Sequence, residues 1–288
     1  MCRLYGLRAN EETKVECTLV HAQNALMLQS RSDRAGRTHM DGWGIAFYHN
    51  TVPEVERRST AAHQDLHFSN TAERIFSQTV VAHVRHATIG ATSDANSHPF
   101  VWNRWAFAHN GTVQGFDTIR NGLEQETEPR LQAHRRGHTD SEQLFLWLLS
   151  RIEEAGIDLS LESDQSPRLA TVAGACLAEL AGRCARAAAD KPARLNIILT
   201  DGHRFLATRW NNSLYYVLRE GVHDCEVCGI PHVHHRTGLD YRAVVVASEP
   251  ISNEPWREIP NHSLLLVDEG LSVEVRPIES SKLAPSSS

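Results

Sequence analysis

The chain has no apolar run long enough to cross a bilayer, and its start lacks the basic-then-apolar pattern of a secretion signal. These absences make the cytoplasm the expected compartment and remove a membrane from the expected partners. A surplus of positive charge is also missing: 29 Lys and Arg stand against 35 Asp and Glu, a formal net charge of −6. The basic residues are scattered, so nucleic acid is not an expected partner. Cysteine is sparse, six residues in 288, too few and too dispersed for a disulfide scaffold. No internal repeat and no Pro/Gly-rich linker divides the sequence. One domain over residues 1–279 is expected, long enough to bury a large core. The Ser- and Pro-rich tail 280–288 is expected to be disordered.

What is present begins with histidine, seventeen residues, so that a single one of them carries little weight. Short runs rich in β-branched or aromatic residues, bounded by turn signals, predict strands. They are Cys2–Leu7, Trp43–His49, Val80–Arg85, Trp105–His109, Leu195–Thr200, Phe205–Trp210, Leu214–Arg219, Arg242–Ala247, Leu264–Val267 and Leu271–Val275. Asp201-Gly202 reads as a hairpin turn between two of them. Helical spacing of apolar residues predicts helices over Ser141–Glu154 and Arg168–Ala188, and an earlier one around Leu19–Arg31. Hairpins with a few amphipathic helices imply a layered α/β or α+β architecture.

The most informative residue is Cys2. Removal of Met1, which a small second residue favours, leaves a thiol and a free α-amine on one residue. An α-amine titrates near about 7.7–8.0 and a thiol near about 8.5, so the amine can take the thiol proton near neutral pH. One residue then supplies both nucleophile and base for acyl transfer. A cysteine at position 2 also arises by chance, and alone it is more often inert than catalytic.

Three further runs change that balance. Trp105–Thr112, WAFAHNGT, ends in Asn110-Gly111. The pair reads first as a hairpin turn, and the same geometry also offers two donors, an amide and a glycine N–H, for an oxyanion. In VVAHVRHATIG (residues 80–90), Arg85 at a strand end is either solvated or a bidentate clamp for a carboxylate. In HTDSE (residues 138–142), Thr139 and Glu142 form a capping box, and Asp140 falls in the first helical turn. The dipole accounts for Asp140 by itself; its carboxylate can also bind an ammonium. Together these groups describe a site for a γ-glutamyl amide held by its α-carboxylate and α-amine.

Met1-Cys2, Arg85-His86-Ala87-Thr88, His109-Asn110-Gly111 and Thr139-Asp140-Ser141-Glu142, in this order, resemble the class II glutamine amidotransferases, which are N-terminal nucleophile hydrolases. The resemblance continues through LNIILTDG (195–202) and ASEPISNEPWREIP (247–260) and so covers nearly the whole chain. It implies an α+β fold, the four-layer αββα sandwich. It implies Cys2 as nucleophile, Asn110 and Gly111 at the oxyanion, and Arg85 and Asp140 on the glutamyl carboxylate and ammonium. Thr88 matches a position lining the glutamyl pocket. No cofactor is needed for that chemistry.

Two departures qualify the resemblance. Where the large amidotransferases carry an Arg-Gly-x-Asp-type segment, this chain has His39-Met40-Asp41-Gly42-Trp43-Gly44, so no arginine role transfers there. That version resembles a compact, standalone branch that includes hydrolases of γ-glutamyl compounds in ergothioneine and glutathione metabolism. No synthase domain follows, so ammonia would pass to a separate partner synthase or to water. The expected function is a standalone amidohydrolase for a small γ-glutamyl substrate. The alternatives are a glutaminase subunit feeding a partner synthase, and a non-catalytic metal- or partner-binding protein on the same fold.

The stretch CEVCGIPHVHH (225–235) is separate from this chemistry. Cys225 and Cys228 form a C-x2-C-G knuckle, followed by His232, His234 and His235. Cys225, Cys228, His232 and His234 can make a tetrahedral structural zinc site. A reduced, insertion-like loop fits the same residues. Cys17 has no such signal around it, and Cys176 and Cys184 read as small buried apolar residues.

Overall fold

The computed structural model describes residues 2–160, 165–233 and 240–279. The tail 280–288 and His234, on which sequence expectations were placed, lie outside them. The strands are β1 (Arg3–Lys14), β2 (Trp43–Tyr48), β3 (Pro53–Arg58), β4 (Phe76–Val84), β5 (Phe100–Trp102), β6 (Trp105–Thr112), β7 (Arg194–Thr200), β8 (Phe205–Arg209), β9 (Tyr215–Glu220), β10 (Arg242–Ala247), β11 (Arg257–Glu258), β12 (Ser263–Val267) and β13 (Val273–Pro277). The α-helices are α1 (Leu26–Arg31), α2 (Leu66–Arg74), α3 (Phe116–Gln125), α4 (Pro129–Gln132), α5 (Asp140–Glu154) and α6 (Ser166–Ala187).

The strands form a seven-stranded sheet, β11-β9-β10-β1-β4-β2-β3, and a six-stranded sheet, β13-β12-β8-β7-β6-β5. Alternating side chains divide each strand between two cores, as a pleat requires. Leu4, Val81, Val244 and Val246 of the first sheet meet Ala108, Ile198, Phe205, Ala207, Leu265 and Val267 of the second. Tyr5, Leu7, Val80, Ala82 and Val245 point the other way, onto α1 and α2. Trp105, Phe107, Leu195, Ile197, Leu199 and Leu206 point onto α5 and α6. The result is the helix–sheet–sheet–helix sandwich of the N-terminal nucleophile hydrolase type. Among the described residues no helix is long and apolar enough to cross a membrane.

Helix α5 starts where its cap residue predicts, with Thr139 Oγ1 accepting the Glu142 N–H at 3.1 Å. The reciprocal half of the capping box does not form. The Glu142 carboxylate instead accepts from the Arg136 and Gly137 amides, at 3.0 and 2.7 Å, and ties the preceding segment to the helix. Leu144, Phe145, Leu146, Trp147, Leu148 and Leu149 of α5 are all buried, not the single stripe that the spacing predicts. The helix lies between a sheet and other helices, so more than one face is covered.

Three sequence expectations need adjustment. β1 continues past Leu7 to Lys14, through a register irregularity between Arg8 and Thr13 against β4. Its second half, Arg8–Lys14, is polar and gives little period-2 signal. The helix expected around Leu19–Arg31 is two pieces, a π-helical turn at Cys17–His21 and α1, broken by extended backbone at Ala22 and Ala25. Asn110-Gly111 is not a turn: β6 runs through both, paired with Asn196 and Leu195 of β7. The Asp201-Gly202 turn is present between β7 and β8, with Asp201 Oδ1 accepting the His203 and Arg204 amides at 3.1 and 2.7 Å.

Candidate active site

Register places the site. β1 is antiparallel to both β4 and β10, with Arg3 opposite Val84 and Tyr5 opposite Ala247. The start of β1 and the ends of β4 and β10 therefore meet on one edge of the sheet. Cys2 sits at that edge, 7% exposed, and its Sγ accepts the His86 amide N–H at 3.3 Å. Burial pushes the thiol up from its ordinary range; the His86 amide and the Arg85 charge act against that, and Asp140 adds to it.

The backbone of Cys2 is held by a buried charge cluster that the sequence did not reveal. Arg3 Nη1 donates to the Cys2 carbonyl at 2.9 Å, and Arg3 Nη2 donates to Asp33 Oδ2 at 2.5 Å and Glu249 Oε1 at 2.8 Å. Asp33 also meets Arg37 and His39. Its burial raises its carboxyl, but the Arg37 amide and the Arg3 charge outweigh this and hold it well below the usual range. The His39 side chain is fully buried, and burial pulls it down to about 3, so it is neutral.

Arg85 is also buried. Its guanidinium donates to the carbonyls of Ile89, Gly90, Ala91 and Asp41, at 3.0 to 3.4 Å. It therefore shapes the 85–91 loop as well as carrying charge. Burial pulls its pKa down, while Cys2, Asp41 and Asp140 oppose that. Asp41, from the H-x-DGWG segment, accepts the Ala87 amide at 2.8 Å and anchors the same loop.

Asn110 and Gly111 approach from the second sheet. Asn110 Nδ2 donates to Ser248 Oγ at 3.3 Å, and Ser248 Oγ accepts the Leu4 amide at 2.9 Å, two residues from Cys2. Asn212 Nδ2 donates to the Asn110 carbonyl at 2.7 Å and approaches its Oδ1 at 3.5 Å. These contacts set the direction of the Asn110 amide. Gly111 admits no side chain: a Cβ there would lie 1.8 Å from the Arg194 carbonyl oxygen.

Asp140 is buried, with Oδ2 accepting the Val113 amide at 2.8 Å and Oδ1 accepting its neighbour's Ser141 amide at 2.9 Å. The helix start is thus docked just beyond Gly111. His109 joins the same corner, with Nδ1 2.8 Å from Ser141 Oγ and Nε2 2.9 Å from the Arg194 carbonyl. Thr88 is exposed, its Oγ1 3.3 Å from Thr112 Oγ1 beside Gly111. The structure thus draws Cys2, Arg85, Thr88, Asn110, Gly111 and Asp140 into one linked region. A buried thiol beside a cation, an oriented amide and a carboxylate is equipped for acyl transfer.

The family description "Glutamine amidotransferases class-II" matches residues 1–288. The chain belongs to the class II glutamine amidotransferases. Among relatives of this family member, the "Probable glutamine amidotransferase DUG3" of Saccharomyces cerevisiae is 26% identical over 295 residues, 93% of this chain and 82% of that one. The gamma-glutamyl-hercynylcysteine sulfoxide hydrolase of Mycolicibacterium smegmatis is 29% identical over 246 residues, 83% of this chain and 84% of that one. A glutamine aminotransferase class-II domain protein of Silicibacter pomeroyi has the same fold: TM-score 0.62, 22% identity, 96% of this chain and 100% of that one covered. With its family and these relatives, the amidotransferase chain is a hydrolase acting on amide bonds.

The expected metal residues lie elsewhere. Cys225, Cys228 and His232 do come together, and Cys17 joins them, with no sequence signal to announce it. Ser248, Asn212, Arg3, Asp33 and Glu249 were likewise missed around Cys2. Only Ser248 and Glu249 had a local sign, their place in the ASEPISNEP run.

Proposed function

We propose that this protein cleaves a γ-glutamyl amide, glutamine or a γ-glutamyl-substituted amine, through a thioester at Cys2. The observation that carries this reading is the buried Cys2 thiol, held by the His86 amide within the charge fields of Arg85 and Asp140. Because burial raises the thiol pKa, the resting sulfur keeps its proton at neutral pH and needs a base at the moment of attack. Removal of Met1 would place an α-amine on Cys2 itself to take that proton.

The sulfur then bonds to the amide carbon, and the oxyanion meets the Asn110 amide and the Gly111 N–H. Collapse breaks the C–N bond, and the leaving amine takes the proton from the α-ammonium. Water attacks the thioester and releases glutamate, restoring the thiol. Arg85 and Asp140 would hold the α-carboxylate and α-ammonium. Asp140 accepts from the Val113 amide and from the Ser141 amide and hydroxyl, so of the about four acceptor sites of an ionised carboxylate about one is left for the ammonium. The names of the relatives, one a glutamine amidotransferase and one a γ-glutamyl hydrolase, support both an unsubstituted and a substituted leaving amine.

The test is turnover of purified protein, without any partner, on glutamine and a panel of γ-glutamyl amides, read as glutamate release, with intact mass reporting Met1. Expected are a chain lacking Met1, turnover on at least one compound, and loss of turnover in Cys2→Ala and Cys2→Ser. Undiminished activity in Cys2→Ala, or full activity with Met1 retained, overturns the reading. Activity seen only with a synthase partner makes the protein a glutaminase subunit.

A further inference from the structure

We infer that Cys17, Cys225, Cys228 and His232 form a structural zinc site that pins the β9–β10 connection to the turn following β1. The inference is independent of the proposed reaction, since these residues take no part in the Cys2 site.

The geometry is that of a metal centre. The three Sγ atoms and a ring nitrogen all lie within 4.8 Å of one another. Cys228 Sγ is 3.4 Å from His232 Nε2. A tetrahedral zinc, with Zn–S about 2.3 Å and Zn–N about 2.0–2.1 Å, separates sulfur from nitrogen by about 3.5 Å and two sulfurs by about 3.8 Å. The observed spacing reaches those values with small side-chain movements. Three thiolates and an imidazole are a donor set for zinc rather than for a hard oxygen-seeking cation.

The surrounding backbone is built to present the ligands. The Val227 amide donates to Cys225 Sγ at 3.4 Å and fixes where the sulfur points. The Gly229 amide donates to the Cys225 carbonyl at 2.8 Å, and the Cys225 amide to the Ile230 carbonyl at 3.1 Å. Gly229 turns the chain at φ +73°, so the glycine of the C-x2-C-G pattern is required by the knuckle itself. The other half of the site is anchored through β1. The Lys14 amide donates to the His232 carbonyl at 2.7 Å, and Thr13 bridges Val233 in the antiparallel sense. Cys17, 4% exposed at the head of the π-helical turn, brings its sulfur to the knuckle's donors.

Four protein donors close the coordination sphere and leave no position for a substrate or a reactive water, so the role is structural. The metal would join segments far apart in the sequence, and closing so long a loop restricts the unfolded state. It would hold the 221–233 region against the strand whose first residue follows Cys2. Binding exchanges three thiol protons for one Zn2+, so uptake releases up to three protons.

The test uses full-length protein without an affinity tag, purified under reducing conditions and analysed for metal. About one zinc per chain is expected, with Cys17→Ser and Cys228→Ser each falling below about a tenth of that and His234→Ala retaining it. Replacement by Co2+ should give the intense visible bands of a tetrahedral, sulfur-rich site, and these should vanish in Cys17→Ser. Because Cys17 is buried and its variant can misfold, the exposed Cys228→Ser variant, checked by circular dichroism, decides on its own. Wild-type protein that neither carries nor takes up zinc overturns the proposal, as does a disulfide among these thiols in the freshly isolated protein. Full zinc content in folded Cys17→Ser or Cys228→Ser overturns it too, as does loss of zinc in His234→Ala.

Discussion

Asn110 is the residue whose side chain carries the most chemistry for its size. Its amide is turned by two fixed neighbours, Ser248 and Asn212. Under the proposed mechanism Asn110→Ala removes one oxyanion donor and should lower kcat by about 10²–10³-fold with KM little changed, read by steady-state glutamate release. Ser248→Ala tests the orientation itself: the donor stays but loses its partner, and the expected drop in kcat is smaller than for Asn110→Ala. Arg3 acts through another residue, by holding the Cys2 carbonyl and neutralising Asp33 and Glu249. Arg3→Met removes the cation that the two carboxylates share, but Asp33 keeps Arg37 and Glu249 keeps Asn24, so the fold should be destabilised by less than the about 3–5 kcal/mol of a wholly unpaired buried charge, measured by urea unfolding. Arg3 does not stand out in the sequence, because it matters through Asp33 and Glu249, which only the fold brings to it, and Ser248 is marked only by its place in the ASEPISNEP run.

At the level of elements, the site depends on where β6 and α5 end and begin. Gly111→Ala drives a methyl group into the Arg194 carbonyl of β7, so the two strands must part at that point. The expected result is loss of activity together with a lowered unfolding midpoint, because the same strand carries Asn110. The start of α5 is set by Thr139, and Thr139→Ala should cost about 1 kcal/mol of stability. The same change loosens Asp140 from the Val113 amide, so under the proposed mechanism KM for the glutamyl substrate should rise more than kcat falls. Elements with strong apolar periodicity, such as α5, α6, β7 and β10, were legible in the sequence. β3, PEVERR, was not, because its pairing with β2 supplies what its own residues do not advertise. α3 buries only Phe116 and Leu123, too few to mark a helical face.

Across the whole molecule, buried histidines tie stability to pH. His39 is pulled down to about 3 by burial, and burial takes His83 and His98, with rings 4.2 Å apart, well below the ordinary range. Unfolded, each imidazole takes a proton near about 6.5; folded, each stays neutral to much lower pH. Between those values the unfolded state binds more protons, so stability falls as pH falls. Each such histidine steepens the loss below about pH 6.5, and for His39 the contribution ends near about 3. Asp33 adds to the acid loss below about 4, where its unfolded carboxyl protonates first. Urea unfolding at pH 7.5, 6.0 and 5.0 should show this decline, and His83→Gln should lessen its slope; equal stability at all three values would contradict the assignment.

The local order of residues left Asn110-Gly111 open between a turn and a donor pair. It determined where the proposed nucleophile stands, at the second position, the capped helix bearing Asp140, and the period-2 and 3.6 patterns that sort strands from helices. Those features act over a few residues, so a linear reading captures them. The tertiary structure alone decided that β6 runs straight through Asn-Gly, that Arg3, Asp33 and Glu249 clamp the chain's start, and that Cys17 meets Cys225 and Cys228. Each of those depends on strand register and sheet packing, which bring together side chains whose separation along the chain carries no signal.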